Sequence, residues 1–342
     1  MRTPEMDFYL FHHTPEELVA LSPAFSLPHV KRVMLPSVRP LLRLCVYLPF
    51  LQIKYGIDIL HTQNNLPVSL FPRGVVTRHD LLFETHPEFF RPSFKLFSKL
   101  LMQWSTTRAK HLFTISDHSR GEILRRYTVV DSKITVIYNG VDRTKFHPGG
   151  DGREIIEGYG LQQGGYLLTV GRKEPRKNYS ALIRAYERVD IRSPLVIIGQ
   201  RYLGSDDIDR QVARSTAKDR IVLLEDIKDN ELPAFYRHAK LFIYPSIAEG
   251  FGIPIVEAMA SGVPVICSRT TAMGEVGGSA AVFIDPYDDN TITAAGAKVL
   301  SDETLQDQLK RSGLKNVERF SWDESARRVV NVYKALLDDK RT

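Results

Sequence analysis

The chain has 342 residues, a length that favours two domains over one large core. A hydrophobic fraction of 43% and a charged fraction of 25% are those of a globular protein, and they exclude a disordered, collagen-like or coiled-coil chain. Residues 1–150 hold 19 Lys/Arg and 12 Asp/Glu (+7), so the remaining 27 and 28 (−1) complete the net charge of +6. We therefore expect an anionic partner at the N-terminal half.

The cysteines and the apolar segments indicate the cellular compartment of the protein. Cys45 and Cys267 lie far apart and form neither a metal-binding spacing nor a disulfide framework, which suits a reducing compartment. No apolar segment follows the charged N-terminus, so no signal peptide is predicted. The most apolar window, 33–53, contains two arginines and three prolines, which excludes a membrane-spanning helix. We expect a soluble or peripheral protein in the cytoplasm.

Strand and helix patterns alternate along the chain. In the first half the pattern predicts helices at 92–109 and 116–127, and buried strands at 7–11, 58–62, 74–79, 111–116 and 133–139. A turn-rich stretch that ends at 148–152 is the best linker. The second half is predicted to contain strands at 165–171, 195–199, 220–225, 241–246, 264–268 and 280–285. Its predicted helices are 178–189, 206–217, 229–239, 253–261, 290–300, 304–320 and 322–337.

This alternation predicts the fold class. Strands that alternate with helices form right-handed βαβ units, so we expect an α/β protein with two doubly wound parallel sheets. Two such domains facing each other predict a ligand in the cleft between them, at the carboxyl ends of the strands.

The segment Gly171–Asn178 places four cations in the loop after a buried strand. Arginine offers a planar fork of donors and lysine a compact charge, a combination that suits a diphosphate. Asn178 is a good N-cap for the helix that follows. The alternative is a solvated basic turn.

The segment Ser246–Gly262 joins a strand to a helix through a glycine-containing loop. Gly250 and Gly252 allow the backbone to approach a ligand, and free amides at the helix N-terminus favour an anion. Glu249 and Glu257 can point toward the same cleft, where a carboxylate fits sugar hydroxyls. The alternative is a tight turn with an exposed glutamate.

A third segment ends the strand at 74–79 with His79 and Asp80. His79 is expected at the carboxyl end of its strand, facing the cleft, although a lone histidine is often structural. Asp80 is expected to be a cap or turn residue.

Together, Gly171–Asn178, the Glu249–Glu257 pair, 264–268 and Asn139–Asp142 resemble the retaining glycosyltransferases of family four. The resemblance runs from about Asp58 to Val332 and is densest in the second half. It implies the GT-B architecture of two Rossmann-like domains. The implied boundaries are 1–146 for the acceptor-side domain, 147–320 for the nucleotide-sugar-binding domain, and 321–342 for a terminal helix that crosses back to the first domain.

The resemblance also implies roles for the site residues. Gly171, Arg172 and Lys177 would hold the diphosphate of a nucleotide-sugar donor, together with the amides of Phe251, Gly252 and Ile253. Glu249 would bind sugar hydroxyls, Glu257 the ribose, and the segment around Ile227 the base. His79 would lie over the reacting sugar. The implied reaction retains the anomeric configuration and needs neither a metal nor a cofactor.

Two further features concern metal binding and the completeness of the first domain. Asp207-Ile208-Asp209 has the spacing of a metal-binding motif, but its position reads as the acidic first turn of a helix. The family usually opens with a strand and a glycine-rich loop near the donor phosphates, and nothing before Phe8 supplies them. We therefore expect an incomplete first sheet and an incomplete acceptor site.

The basic half suggests an anionic membrane surface as a partner. Arg91, Lys95 and Lys99 share one predicted helix face, interleaved with Phe94, Phe97, Leu101 and Trp104. A second basic, apolar stretch contains Lys31, Arg32, Arg39, Arg43 and Lys54. Such segments can rest on an anionic bilayer, but an ordinary amphipathic helix packed on the sheet has the same pattern. Nucleic acid is not expected, because no reading element is present.

The resulting prediction is a metal-independent hexosyltransferase that extends a saccharide or a lipid-linked saccharide at the cytoplasmic membrane face. GDP-mannose is the expected donor, because the region that contains His79, Phe83 and His86 resembles the mannosyltransferases of the family. The alternatives are a nucleotide-sugar epimerase of the same fold and a truncated, inactive subunit that only binds nucleotide.

Overall fold

The structure is a computed structural model that describes residues 6–67, 74–90, 92–189, 191–202 and 204–339, with residues 92–98 described by their backbone alone. Within these ranges the chain folds into two α/β lobes, each built on parallel strands. The predicted alternation of strands and helices is confirmed.

The first lobe contains six short strands and their connecting helices. The strands are β1 (Phe8–His12), β2 (Val30–Met34), β3 (Leu60–Gln63), β4 (Gly74–Arg78), β5 (His111–Thr114) and β6 (Ile134–Val136). The helices are α1 (Pro15–Leu21), α2 (Pro40–Leu42), α3 (Leu48–Lys54), α4 (Leu82–Thr85), α5 (Pro92–Arg108) and α6 (Asp117–Arg126). A π-helical turn, Arg43–Tyr47, joins α2 to α3. Strands β3 to β6 form one parallel sheet in chain order.

The first strand differs from the expectation. We predicted 7–11 as a strand of the first-domain sheet, but among the described residues β1 pairs with β2, in a separate two-stranded parallel sheet. The sequence pattern does not predict β2, because Lys31 and Arg32 interrupt its apolar residues. Both cations are exposed, so β2 lacks the buried run that marks a central strand.

The second lobe is built on a six-stranded parallel sheet. Its strands are β7 (Leu167–Val170), β8 (Leu195–Ile198), β9 (Ile221–Leu224), β10 (Leu241–Tyr244), β11 (Val265–Ser268) and β12 (Val282–Ile284). The spatial order is β12-β11-β10-β7-β8-β9. The order reverses between β10 and β7, so the loops after these neighbouring strands lie on either side of a crevice, which is where sheets of this kind bind ligands.

Helices cover both faces of this sheet, and apolar side chains form a core on each face. The helices are α7 (Arg153–Gly158), α8 (Tyr179–Glu187), α9 (Ser205–Arg214), α10 (Leu232–Arg237), α11 (Ile253–Ala260), α12 (Ala272–Gly277), α13 (Asp289–Ser301) and α14 (Glu303–Asn316). Strands β8, β10 and β11 are buried along their whole length, as parallel strands covered on two faces require.

The last helix, α15 (Trp322–Asp338), packs against the first lobe. Ser325 Oγ donates a hydrogen bond to the Tyr138 carbonyl at 2.6 Å, and the Tyr333 ring lies edge-on to His61 at 5.8 Å. Gly140 lies against the start of this helix, because a Cβ at Gly140 would lie 2.4 Å from the backbone nitrogen of Trp322. The boundaries 1–146, 147–320 and 321–342 remain a prediction.

Within the described ranges, no helix has the length and apolar character needed to cross a membrane. Part of the basic face predicted on α5 cannot be placed, since Arg91 and the side chains of Phe94, Lys95 and Phe97 lie outside the described residues.

Candidate functional site

Two loops of the second lobe meet at the crevice between β7 and β10. The loop after β7 contains Gly171–Asn178, and the loop after β10 contains residues 245–252 and leads into α11. The Arg176 carbonyl accepts a hydrogen bond from the Ile247 backbone nitrogen at 2.8 Å, and Ser246 Oγ lies 3.1 Å from the same carbonyl oxygen. The two segments that the sequence identified separately thus form one site.

Glu249 lies in this site with 8% of its surface exposed. Its Oε1 accepts hydrogen bonds from Lys177 Nζ (2.8 Å), Tyr244 OH (2.9 Å) and Ser246 Oγ (2.6 Å), and its Oε2 lies 2.7 Å from Arg176 Nη1. Burial by itself raises the pKa of this carboxyl, but the charges of Lys177 and Arg176 outweigh burial and lower the pKa to about 2. The carboxylate is therefore ionised and held in one position.

The loop after β7 does not direct all of its cations to the crevice. Arg172 is exposed, and its guanidinium lies 5.5 Å from the centre of the Tyr202 ring. Lys173, for which the sequence predicts no ligand role, is 1% exposed. Lys173 Nζ lies 2.6 Å from Glu225 Oε1 and 3.1 Å from Asp209 Oδ1, because a buried ammonium needs a partner of opposite charge.

The N-terminus of α11 opens onto the crevice. Gly252 precedes the helix at φ +104°, a conformation that favours glycine. The first N–H groups of a helix have no acceptor within the helix, so they can bind an anion. Ile253 is exposed, whereas the Phe251 ring is buried 5.4 Å from the Phe320 ring. A ligand can therefore meet the backbone of Phe251 but not its ring.

Three further predicted residues lie in the second lobe. Glu257 Oε2 accepts a hydrogen bond from Tyr236 OH at 2.8 Å, and burial raises its pKa despite that bond. Ile227 is half-buried against the core. The Gly171 carbonyl accepts a hydrogen bond from Tyr179 OH at 2.6 Å. Their roles toward ribose, base and diphosphate remain predictions.

His79 and Asp80 of the first lobe lie across from the Glu249 loop. A Cβ at Gly250 would lie 2.8 Å from Asp80 Cβ and 3.1 Å from the His79 carbonyl oxygen, so only glycine allows this approach. Burial lowers the pKa of His79, and neighbouring Asp80 opposes this shift. Asp80 Oδ1 accepts a hydrogen bond from the Leu82 backbone nitrogen at 3.0 Å, the turn role expected from the sequence. The site therefore includes a segment of the first lobe in addition to the two loops of the second lobe.

In the described ranges no group of His, Cys, Asp and Glu side chains is arranged to hold a metal ion. Both carboxylates of the Asp207-Ile208-Asp209 segment are in ion pairs. Asp207 pairs with Arg210, and Asp209 pairs with Lys173 and Arg201. This segment lies at the start of α9, as its acidic composition predicts.

Sequence reasoning missed some contacts of the site. It placed Arg176 in the loop but did not pair it with Glu249, and it did not find Thr271, whose Oγ1 accepts a hydrogen bond from the Glu249 backbone nitrogen at 2.9 Å. Asn178 occupies the predicted N-cap position, but its Nδ2 donates to the Pro286 carbonyl at 2.7 Å instead of capping. These contacts depend on which strands are neighbours, and no local motif reveals that.

Comparison with known proteins places this architecture in a family. The family model described as "Glycosyl transferases group 1" matches residues 153–316, and "Glycosyltransferase Family 4" matches residues 6–145. The O-antigen chain mannosyltransferase B of Escherichia coli is 33% identical over 287 residues, which cover 81% of this chain and 74% of the relative. This chain belongs to glycosyltransferase family 4. It is a glycosyltransferase of the hexosyltransferase class, which confirms the resemblance seen in the sequence.

Other relatives and solved structures agree. The O-antigen chain mannosyltransferase RfbU of Salmonella typhimurium is 30% identical over 82% of this chain and 74% of its own length. The sucrose-phosphate synthase of Thermosynechococcus elongatus superposes with a TM-score of 0.79 at 20% identity, over 92% of this chain and 85% of that chain. Anabaena HepE in complex with UDP-glucose superposes with a TM-score of 0.76 at 16% identity, over 96% and 100%. These similarities confirm the predicted GT-B fold.

Proposed function

We propose that this family 4 enzyme transfers mannose from GDP-mannose to a saccharide or a lipid-linked saccharide in cell-surface polysaccharide synthesis. The observation that carries the proposal is the buried, ionised Glu249 with its two cations, located at the crevice opposite His79. The names of the two relatives, both O-antigen mannosyltransferases, support mannose as the sugar and a surface polysaccharide as the product.

In the proposed reaction the second lobe holds the donor. Lys177, Arg172 and the backbone N–H groups of 251–253 stabilise the negative charge that grows on the departing diphosphate. The bond from the anomeric carbon to the diphosphate oxygen breaks while the acceptor hydroxyl oxygen bonds to the same face of that carbon. The acceptor proton passes to the departing diphosphate. Because attack and departure take place on the same face, the configuration is retained, and neither a side-chain nucleophile nor a metal ion is needed.

The hydrogen bonds of Glu249 support its proposed role in holding the sugar. Its Oε1 accepts three donors, whereas Oε2 contacts Arg176 among the described residues and has a further lone pair for a sugar hydroxyl. A charge-assisted hydrogen bond of this kind contributes roughly 1.5–3 kcal/mol. His79 offers its ring to the same sugar from the opposite lobe.

A donor panel tests the proposal. Thermal unfolding is measured with GDP, UDP, dTDP and ADP, and a ligand at 100 times its Kd adds about 2.7 kcal/mol of stability. We expect GDP to stabilise the protein most and GDP-mannose to be consumed only with an acceptor. Greater stabilisation by another nucleotide would exclude GDP-mannose, and conversion of the donor alone to an epimer would favour the epimerase alternative.

A lipid-linked acceptor requires access to a membrane, and we propose that residues 39–54 supply the contact. This segment is helical from Pro40 to Lys54. Four apolar residues at helical spacing are exposed by 44–61%: Leu42, Val46, Phe50 and Ile53. Monomeric soluble proteins usually expose apolar side chains singly, whereas these four share one helical face. This face therefore suits a partner.

Charge supports an anionic bilayer as that partner. Residues 18–57 contain no Asp or Glu but five Lys/Arg. Arg32, Arg39 and Lys54 are exposed. Each basic residue near an anionic surface contributes about 1 kcal/mol, and the apolar face adds its own burial in the lipid boundary. The segment is thus suited to lie flat on the bilayer.

Vesicle sedimentation tests this surface. We expect binding to vesicles of 70% phosphatidylcholine and 30% phosphatidylglycerol, and little binding to phosphatidylcholine alone or in 0.5 M salt. Val46→Ser with Phe50→Ser should abolish binding. Tyr287→Ser, which changes an exposed residue of the second lobe, is the matched control and should bind normally. Unchanged binding of the double variant would exclude this face.

A further inference from the structure

The start of α6 in the first lobe is hydrogen-bonded to two segments of the second lobe. Ser116 Oγ donates to the Gly250 carbonyl at 2.9 Å. The backbone nitrogens of Asp117 and His118 donate to Glu275 Oε1 at 2.9 Å and Oε2 at 3.0 Å. Both oxygens of one carboxylate therefore bind the N-terminus of a helix that belongs to the other lobe, where negative charge is favoured.

Each end of this interlobe contact continues to a proposed catalytic residue. In the first lobe, Ser119 Oγ donates to the His79 carbonyl at 3.3 Å, and the Ser119 backbone nitrogen donates to Ser116 Oγ at 3.1 Å. In the second lobe, the turn before α12 binds the Glu249 backbone. Thr271 Oγ1 accepts from the Glu249 nitrogen at 2.9 Å, so the segment that carries Glu275 also fixes Glu249.

The backbone of that turn is strained. Thr271 has φ +53° and ψ −138°, a conformation that β-branched residues rarely adopt. Such strain persists only where the surrounding structure enforces it, and it is common at functional sites. Thr271 directly precedes a short helix whose first turn contains Glu275, so this one segment contacts both the Glu249 backbone and α6.

We propose that Glu275 is a positioning residue that holds the lobes together so that His79 and Glu249 face the same sugar. This inference rests on the proposed roles of His79 and Glu249. Glu275 itself does not touch the substrate. It acts through the backbone of Asp117 and His118 and through the Gly250–Ser116 contact beside them.

Two matched variants in the first lobe test the contact with Glu275. Asp117 is the first residue of α6, a position that accepts proline, and Ser116 before it is already extended. Asp117→Pro removes the N–H that binds Glu275, whereas Asp117→Ala removes the side chain and keeps the N–H. From the second lobe, Glu275→Gln removes the charge at nearly constant shape.

The distance between the lobes is the readout that does not depend on substrate. Cys45 is exposed in the first lobe and Cys267 is buried, so spin labels can be placed on Cys45 and on Tyr287→Cys. We expect a narrow distance distribution for the parent and for Asp117→Ala, and a longer or broader one for Asp117→Pro and Glu275→Gln. Identical distributions in all four proteins would overturn the proposal.

Kinetics separate positioning from general stabilisation. With GDP-mannose, kcat should fall about tenfold or more in Asp117→Pro and Glu275→Gln, with KM and GDP affinity within about threefold of the parent. The double variant should lose no more than the worse single variant, because both remove the same contact. Additive losses, or an unchanged kcat despite a changed distance, would overturn the positioning role. If the parent protein does not use GDP-mannose, the proposed donor is wrong. The interlobe distances still test whether the contact of Glu275 with α6 holds the lobes together.

Discussion

The two lobes place their charges in opposite ways. The second lobe holds buried charges in ion pairs: Glu249 with Lys177 and Arg176, and Lys173 with Glu225. The first lobe exposes Arg32, Arg39 and Lys54 together with the apolar face of residues 39–54. Buried, paired charges keep a fixed geometry, which suits one small ligand. Exposed cations beside apolar side chains suit a large and variable surface.

The largest expected effect comes from removing the charge at the centre of the second-lobe site. Glu249→Gln keeps the shape of the side chain but loses the charge that Lys177 and Arg176 pair with. We expect kcat to fall at least about a hundredfold, with GDP affinity changed by less than about fivefold. The measurement is steady-state transfer from GDP-mannose alongside calorimetric GDP binding.

Two further variants complete this experiment. Glu249→Ala should also lose stability by roughly 3–5 kcal/mol, because it leaves buried cations without a partner. Glu174→Gln is the matched control, since Glu174 contacts Nη2 of the same Arg176 whereas Glu249 contacts Nη1, and this variant should retain most activity. Normal turnover of Glu249→Gln would contradict the proposed position of the sugar.

The next effect concerns the cations of the loop after β7. Lys177→Ala should weaken GDP binding about tenfold or more and leave guanosine binding nearly unchanged, because it removes a charge beside the diphosphate. Arg172→Ala should have the same selectivity with a smaller loss, since Arg172 is exposed and its charge is screened by water. Titration calorimetry with GDP and guanosine measures both.

Lys173→Met is the control for these variants. It removes a buried cation that pairs with Glu225 and Asp209, so it should lower the thermal midpoint without a selective loss of GDP. If Lys177→Ala weakened guanosine and GDP equally, the phosphate role of Lys177 would be wrong.

The sequence predicted the fold better than it predicted the site. Apolar runs and glycine-rich turns located most strands of the second lobe to within a few residues, because parallel strands buried on two faces have a strong local signal. The same signal failed for β2, where Lys31 and Arg32 are exposed. Side-chain directions were less predictable. Lys173 and Lys177 lie four residues apart in one loop, yet they face different partners, because neighbouring strands supply those partners.

Acid conditions should weaken the lobes in a defined order. Burial lowers the pKa of His61 and of His111 in the first lobe to about 4, below the unfolded value of 6.5. The native state therefore binds fewer protons, and the first lobe loses stability as the pH falls from 6.5 toward 4. Glu249 has the same sign but acts over a lower pH range. Its native pKa of about 2 is below the unfolded 4.5, so its contribution is full above pH 4.5 and is lost below it.

Hydrogen exchange at pH 7 and pH 5, corrected for intrinsic rates, checks this order. Peptides from β3–β6 should lose protection at pH 5, whereas those from β7–β11 should not. His61→Gln, which removes a titrating group but can still hydrogen-bond Thr77 from the position of Nε2, should reduce the change in the first lobe. Equal loss of protection in both lobes would show that these histidines do not control it.

The smallest effect tests how the helix between the lobes begins. Ser321 is the N-cap of α15, and its Oγ accepts a hydrogen bond from the Glu324 backbone nitrogen at 3.4 Å. Ser321→Ala should cost about 1 kcal/mol and lower the thermal midpoint by about 2 °C. Ser301→Ala, at the exposed C-terminal end of α13, is the control and should change neither.

The region that loses stability in Ser321→Ala distinguishes two roles of α15. Ser325 and Arg328 of this helix donate to the carbonyls of Tyr138 and Val136 at 2.6 and 3.1 Å, so fraying its first turn loosens the edge of the first-lobe sheet. Exchange should therefore increase in β6 and not in α14, the helix that precedes α15 in the second lobe. An increase in α14 instead would mean that the cap stabilises the second lobe, and that α15 contributes little to holding the first.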